Sequence, residues 1–277
     1  TDGALSASAE LLITVTGVND APIAVANTNE VPENGAIDLA AASSVLGDDA
    51  DVDGDALTVS SIRTGNVAAT NGAQGEIGST LVGAYGVLTL NADGQYRYAT
   101  TASAVDGLAA GATAVDVFTY TITDGALSAS AELLITVTGV NDAPVAVADT
   151  LDATEDTPET YTAAQLVGND TDVENSDLSL SSVTTGSNGT AVLNADGTVT
   201  FTPNADYAGA ADFTYIVNDG TADATSAATV TVNVGAVNDA PVAVADTLDA
   251  TEDTPETYTA AQLVGNDTDV ENSDLSL

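Results

Sequence analysis

Oxygen ligands for a hard cation are the chemistry this sequence supplies in quantity. The stretch GDDADVDGDALTV (47–59) carries aspartates at alternate positions 49, 51, 53 and 55, with Asp48 just ahead, and no basic residue lies nearby. Asp49-Ala-Asp51-Val-Asp53-Gly54 matches the first half of a D-x-D-x-D-G calcium loop. Calcium takes about 6–8 oxygens, from carboxylates, amides, backbone carbonyls and water. Without a cation, carboxylates crowded this closely repel one another, and some must bind protons. The loop is not a complete EF-hand. Ser60 stands where the bidentate glutamate would be, six residues after Gly54, and no flanking helices are expected. The remaining ligands must therefore come from elsewhere in the chain. Ordinary turn formation is the alternative, because Asp, Asn and Gly cap local backbone groups. It is the expected role of NADG at 91–94 and 194–197 and of the Asp-Gly pairs at 124–125 and 219–220.

The acidic loop recurs. Asp170, Asp172 and Glu174 align without gaps with Asp49, Asp51 and Asp53, and Asp267, Asp269 and Glu271 form a further copy. Residues 1–22 repeat letter for letter at 123–144, and residues 140–180 repeat at 237–277. The sequence reads as part of an array. It divides into the C-terminal hairpin of a truncated repeat (1–18), complete repeats at 19–140 and 141–237, and the N-terminal part of a truncated repeat (238–277). That last part lacks its later strands and is expected to be loose.

The elements that must position the loops are strands. Phe118, Tyr120 and Ile122 alternate with threonines, and Leu133, Ile135 and Val137 do the same after the Asp-Gly turn. This period of two marks a hairpin. Phe213, Tyr215 and Val217, followed by Val230, Val232 and Val234, repeat the scheme. Residues 88–98 and 191–201 read as further hairpins around NADG turns. Many short strands in about 100 residues predict an all-β fold of tandem β-sandwich domains. Short helical pieces are expected only at AAASSVLG (40–47), TAAQLVG (162–168) and within 100–116.

Composition narrows the function. Two arginines, Arg63 and Arg97, face 42 acidic residues, for a formal charge of −40. Nucleic acid and anionic membranes are excluded as partners, because both require a basic surface. With no His, Cys or Lys, the usual nucleophile and base combinations are missing, and no enzyme is expected. Strong acidity can signal disorder, but 44% apolar residues in regular runs indicate a folded chain with an acidic surface. No apolar run approaches the roughly 20 residues of a membrane span.

Residues 81–144, with VGAYGVLTLNADGQYRYA, FTYTITDG and ITVTGVNDAP, resemble the VCBS-type repeat of giant bacterial surface proteins. The second repeat resembles the bacterial cadherin-like repeat, and VNDAP, VPENG and DADVDGD together form a specific set of motifs. Such arrays are similar to the extender regions of RTX-type adhesins. The resemblance implies immunoglobulin-like or cadherin-like sandwiches in an elongated array, calcium at the junctions, type I secretion, and roles in attachment and biofilm formation at the bacterial cell surface. A cadherin-type cage would take Glu33 from PEN, Asn141 and Asp142 from the linker, and Asp170 and Asp172 beyond it, with Glu174 at the third loop position. The same logic assigns Asn19, Asp20, Asp49, Asp51 and Asp53 to the first repeat. It assigns Glu155, Asn238, Asp239, Asp267 and Asp269 to the last. The linker lacks the longer acidic cadherin motif, TEDTP replaces PEN around Glu155, and no LDRE counterpart is evident, so the expected cage is smaller or sits within one domain rather than between two. The implied function is a calcium-stiffened spacer that projects a distal binding domain, with calcium and neighbouring repeats as partners. The alternative is direct binding of glycan or ice by outward threonine rows.

Overall fold

The structure is a computed structural model that describes residues 3, 6–38, 44–174, 176–271 and 274–276. The chain divides into two units, Thr1–Val140 and Asn141–Leu277. Each contains a β-sandwich, as the alternation predicts.

In the first unit, one sheet contains β1 (Asn27–Pro32), β3 (Thr58–Thr64), β4 (Gln74–Gly75), β8 (Thr113–Thr123) and β9 (Ser128–Thr138), in the order β1-β9-β8-β3-β4. The facing sheet contains β2 (Ala36–Asp38), β5 (Thr80–Val82), β6 (Gly86–Leu90) and β7 (Tyr96–Thr100), in the order β2-β7-β6-β5. Phe118, Tyr120 and Ile122 on β8 pack with Leu133, Ile135 and Val137 on β9, and with Leu88 and Tyr98 from the other sheet. Burying each large apolar side chain contributes about 1.5–3 kcal/mol. Tyr98 also donates its hydroxyl to buried Asp116 at 2.6 Å, and that carboxylate accepts the backbone N–H groups of Ala84 (2.7 Å) and Tyr85 (3.0 Å). The one buried carboxylate on β8 is thereby satisfied without a cationic partner.

The second unit repeats the plan with fewer strands. The sheet β10-β16-β15-β12 contains β10 (Asp149–Thr154), β12 (Ser179–Thr185), β15 (Gly209–Asn218) and β16 (Ala228–Gly235). It faces β11-β14-β13, made of β11 (Glu159–Tyr161), β13 (Gly189–Leu193) and β14 (Val199–Pro203). The four hairpins expected from alternation in the complete repeats form, and the NADG segments are the turns of two of them: Gly94 and Gly197 adopt φ of 80° and 84°. Among the described residues, helix is confined to single turns, α1 (Ala102–Val105), α2 (Ala163–Leu166), α3 (Ala260–Leu263) and a 3-10 turn at Val167–Asn169. The helical piece expected at 40–47 falls partly on residues 40–43, which lie outside the described set.

Topology brings one corner of each sandwich to the end of its last strand. β1 runs parallel to β9, and β10 runs parallel to β16. The chain then crosses to the other sheet, and Glu33 and Glu155 sit at that crossing. The turns need positive φ directly after the glutamate, at Asn34 (60°) and Asp156 (58°), which Asn and Asp tolerate better than other non-glycine residues.

The hairpin expected at 1–18 is not formed among its described residues. Residues 6–18 carry no strand. Ile13 is 72% exposed, whereas Ile135, its copy, is fully buried. The difference is one of pairing: β9 lies between β1 and β8, whereas residues 6–18 pair with no strand among the described residues. A strand is defined by its neighbours as much as by its own pattern. Identical residues should therefore differ in energetic weight. In urea denaturation, Ile135→Ala should lower the stability of the first unit by about 2–5 kcal/mol. Ile13→Ala should change it by no more than about 0.5 kcal/mol.

Candidate metal centre

Each repeat opens with the same clamp. The segment after the linker Asn-Asp pair forms a two-residue bridge with the acidic loop: Ile23 with Ala50, Val145 with Thr171, and Val242 with Thr268. Two residues further on, a backbone N–H reaches the first loop aspartate: Val25 to Asp49 (2.7 Å), Val147 to Asp170 (2.6 Å) and Val244 to Asp267 (2.7 Å). The linker aspartate gives its own N–H to the third loop carboxylate: Asp20 to Asp53 (2.8 Å), Asp142 to Glu174 (2.9 Å) and Asp239 to Glu271 (3.2 Å). The loop also folds on itself, with Asp51 accepting the Asp53 N–H and Asp172 accepting the Ser176 N–H.

The first loop aspartate also faces a core tyrosine. Tyr215 Oη lies 2.8 Å from the Leu166 carbonyl, to which it donates, and close to Asp149 (3.0 Å) and Asp170 (3.1 Å). Burial, and then the charges of Asp149 and Asp170, keep that hydroxyl protonated. Tyr120 is held the same way beneath Asp49 and donates to the Val25 carbonyl at 2.6 Å. Burial raises the pKa of Asp49 and of Asp149.

Asn19 and Asn141 use their amide nitrogens on the protein. They donate to Asp124 (2.9 Å) and Asp219 (2.8 Å), the aspartates of their own units' Asp-Gly turns. These turn aspartates also cap backbone N–H groups. At Asp124 the Leu127 N–H is the main cause of a lowered pKa. At Asp219 burial pushes upward, but the N–H groups of Ala222 and Thr221 and the Asn141 amide outweigh it. The turn reading of these Asp-Gly pairs thus holds, with an added task of fixing the linker. Asn238 donates to the neighbouring Asp239 carbonyl (3.0 Å).

The glutamate at the sandwich corner reads the end of the last strand. In the first unit, Glu33 is 3% exposed, gives its N–H to the Thr138 carbonyl (2.8 Å), and accepts the Val140 N–H on Oε1. In the second unit, Glu155 is 2% exposed, donates to Gly235 (3.0 Å), and accepts the Val237 N–H.

Around Glu155 the carboxylates converge. Glu155, Asp239 and Glu271 each place a carboxylate oxygen within 4.8 Å of the others, and Asp156, Asp206 and Asp239 do the same. Asp239 belongs to both groups. A cleft of about 340 Å³ is lined by Glu155, Asp206, Ala208, Ala236, Val270 and Glu271. Desolvation first, then the charges of Glu271, Asp156, Asp206 and Glu155, raise the pKa of Asp239. One oxygen on Asp239 and one on Glu271 are buried without a hydrogen-bond partner. Among the loop residues of the second repeat, Asp172 and Glu174 each carry a similar orphaned oxygen, as does Asp51 in the first. Buried acceptors left unmatched cost free energy unless something supplies positive charge. An all-oxygen donor set suits a hard divalent cation, and a cage drawn from several protein carboxylates suits calcium better than magnesium, which keeps its waters.

The structure thus brings together Glu155 and Asp239 of the sequence-assigned ligands, and adds Glu271, the third position of its acidic loop. Asp49, Asp170 and Asp267 spend one oxygen on a backbone clamp. Asp156 and Asp206 had no signal as ligands: each looks like a turn residue, with φ of 58° and 55°. Asp206 joins the cluster because the β14–β15 loop lies at the same end of the sandwich as the Glu155 crossing, where its N–H donates to Asp156 at 3.2 Å.

Comparison with known proteins follows this geometry. Residues 19–139 match the bacterial cadherin-like domain family, and residues 140–235 match the cadherin-like domain family. No curated protein matches the chain. Among solved structures, human protocadherin-24 EC1-2 is similar at 15% identity and a TM-score of 0.44, covering 79% of this chain and 98% of that one. Protocadherin gamma B7 extracellular domains 1–4 are similar at 14% identity and 0.42, covering 83% and 55%. An endo-fucoidan hydrolase of glycoside hydrolase family 107 is similar at 24% identity and 0.26, and this chain covers 30% of its length.

The charge pattern sets a pH response in metal-free buffer. A carboxylate whose pKa is raised by folding binds more protons folded than unfolded, so its contribution to stability falls as pH rises through that window. Asp239, Asp49 and Asp149 are of this kind. Asp124, Asp212 and Asp219 are lowered, so their stabilisation is present above the ordinary aspartate value and lost as pH falls through the depressed one. In chelator, the melting temperature by circular dichroism should rise as pH is brought down from neutral towards the carboxylate range, then drop on further acidification. Asp239→Asn should flatten the first limb and leave the second.

Proposed function

For this chain of tandem cadherin-like domains, matched over residues 19–139 and 140–235, we propose a calcium-dependent spacer in an extracellular, surface-attached bacterial protein. The observation that carries this reading is the convergence of Glu155, Asp239 and Glu271 where a finished sandwich meets the opening of the following repeat. Bound there, calcium would supply the positive charge that the buried oxygens of Asp239 and Glu271 lack. Glu155 holds the exit of β16 through the Val237 N–H while offering its carboxylate to the cluster. Asp239 and Glu271 are held to one another by the Asp239 N–H. The residues thus tie three things at one point: the corner of a sandwich, the linker and the next acidic loop.

Several features support a spacer over a catalyst. The chain offers no His, Cys or Lys, and the converging carboxylates of Glu155, Asp239 and Glu271 sit at a sandwich end. Among the described residues, no helix is long and apolar enough to cross a membrane. Attachment and biofilm formation, secretion by a type I route and the RTX-adhesin context belong to this proposal as the setting in which such repeats would work. In that setting, a low-calcium cytoplasm would leave the corners repelling and the joints loose. Extracellular calcium, with affinities on the order of 10⁻⁴–10⁻³ M for modules of this kind, would fasten them.

Calorimetric titration of the chain with calcium should show saturable binding in that range. At about 100 times the dissociation constant, the folded state should gain about 2.7 kcal/mol per site, seen as a raised melting temperature that chelator reverses. Glu155→Gln should weaken the titration at least tenfold. A chain that gives no calcium heat and the same melt in chelator would sink the reading.

A further inference from the structure

Asn34, Asn71 and Asn188 are each followed by glycine. That neighbour matters chemically. With no side chain on glycine to shield it, its backbone nitrogen can attack the preceding side-chain amide, and asparagine is among the labile residues of proteins. The fold treats the three pairs differently. After Asn34, the Gly35 N–H is engaged by the Pro32 carbonyl (3.1 Å) and the Thr100 hydroxyl (3.1 Å). At Asn188 the side-chain amide itself is held: it donates to Tyr207 Oη (2.9 Å) and to the Ala210 carbonyl (3.0 Å), and Gly189 is buried. Asn71 is exposed and lies outside any strand. Among the described residues, neither its side chain nor the Gly72 N–H has a hydrogen-bond partner.

Packing demands a glycine at this point. The chain doubles back on Thr64, whose N–H donates to the Ala73 carbonyl (3.0 Å) and whose Oγ1 accepts the Ala73 N–H (2.9 Å). That contact leads into β4, where Gln74 and Gly75 pair with Arg63 and Ile62 at the sheet edge. A Cβ on Gly72 would collide with the Thr64 carbonyl oxygen. The close approach that seats β4 therefore also leaves a bare backbone nitrogen beside an exposed asparagine.

We propose that Asn71 is a self-modifying site: it converts to aspartate and isoaspartate with water as the only reactant, and the isoaspartate form loosens the β4 edge. The Gly72 nitrogen attacks Asn71 Cγ and loses its proton. The Cγ–Nδ2 bond breaks, and ammonia leaves with that proton. Water then opens the resulting cyclic imide. Cleavage between the nitrogen and Cγ restores the ordinary backbone with an aspartate. Cleavage between the nitrogen and the main-chain carbonyl carbon routes the backbone through Cβ and Cγ, as isoaspartate. Either product puts a carboxylate where a neutral amide stood, and no electrons are transferred. Isoaspartate lengthens the backbone where Gly72 has no room against Thr64, so it breaks the Thr64–Ala73 pair, whereas the aspartate form keeps it. β4 pairs over only two residues at the sheet edge, so its release leaves the rest of the sandwich folded. None of this depends on calcium.

The two arginines make the assay simple. Trypsin cuts after Arg63 and Arg97 and places the three Asn-Gly pairs in separate fragments, 1–63, 64–97 and 98–277. The folded full chain, held at neutral to mildly alkaline pH, should gain the amide-to-acid mass difference in 64–97 about tenfold faster than in either other fragment, where two hydrogen bonds must first break. In denaturant the three rates should converge. Asn71→Gln should abolish the gain in 64–97, although Asn66 and Asn91 remain there, and leave the circular dichroism unchanged. The isoaspartate form, identified by enzymatic methylation, should lose hydrogen-exchange protection at Thr64 and Ala73, while the unconverted chain keeps it. Equal rates in the three fragments of the folded chain, or no gain in 64–97 under conditions that convert the denatured chain, would overturn the site. Unchanged protection in the isoaspartate form would overturn the loosening.

Discussion

Carboxylates in this protein must find positive charge without side-chain cations, and that constraint organises each repeat. With 42 acidic residues and two arginines, ion pairing cannot do it, and among the described residues Arg97 pairs with Asp38 at 3.0 Å. The chain uses backbone N–H groups instead. Asp49, Asp170 and Asp267 each accept one from the strand-like segment after the linker, and Glu33 and Glu155 accept one from the exit of the last strand. A carboxylate that accepts backbone amides fixes the geometry of two chain segments at once. Other carboxylates keep a buried oxygen with no hydrogen-bond partner, among them Asp239 and Glu271 where the segments meet.

Periodicity made the sandwiches legible because strand alternation is a local signal with a two-sided consequence. Phe118, Tyr120 and Ile122, and likewise Phe213, Tyr215 and Val217, had to face one core. Pairing partners were less legible. The parallel pairing of β1 with β9 joins the first and last strands of a unit, and no pattern within either strand announces it. The segment at 6–18 shows the same limit from the other side. Its alternation is that of β9, yet among its described residues it has no strand, because alternation proposes a face and only neighbours supply the hydrogen bonds.

The candidate metal centre was half legible for a related reason. The D-x-D-x-D/E loops declared themselves by charge density, and Glu155 and Asp239 by their place in repeated motifs. Division of labour within the loop was hidden. The first aspartate is drawn to a backbone N–H and a core tyrosine, while the third position carries its carboxylate to the linker aspartate. Asp206 was invisible because it serves the cluster from a loop between β14 and β15, and chain distance says nothing about which loops share an end of a sandwich. Its positive φ and its bond to Asp156 look like turn chemistry until the topology is known.

Placing ligands at the strand exits has a mechanical consequence that placing them mid-sheet would not. Glu155 is part of the β10–β16 edge through its own N–H to Gly235, so pulling on the residues after β16 loads a carboxylate that is anchored in the sandwich. A cation held there would resist that load with several charge-assisted contacts acting together, where a linker of ordinary peptide would give way by rotation about φ and ψ. The clamp adds a second anchor on the far side of the linker, from the Asp239 N–H to Glu271. Both anchors use backbone donors, which do not depend on side-chain rotamers and lose little entropy on engagement. The repeat thus needs few aromatic or basic residues at its ends, consistent with a composition almost bare of both. It leaves the cation as the one variable by which such a joint could be switched between slack and firm.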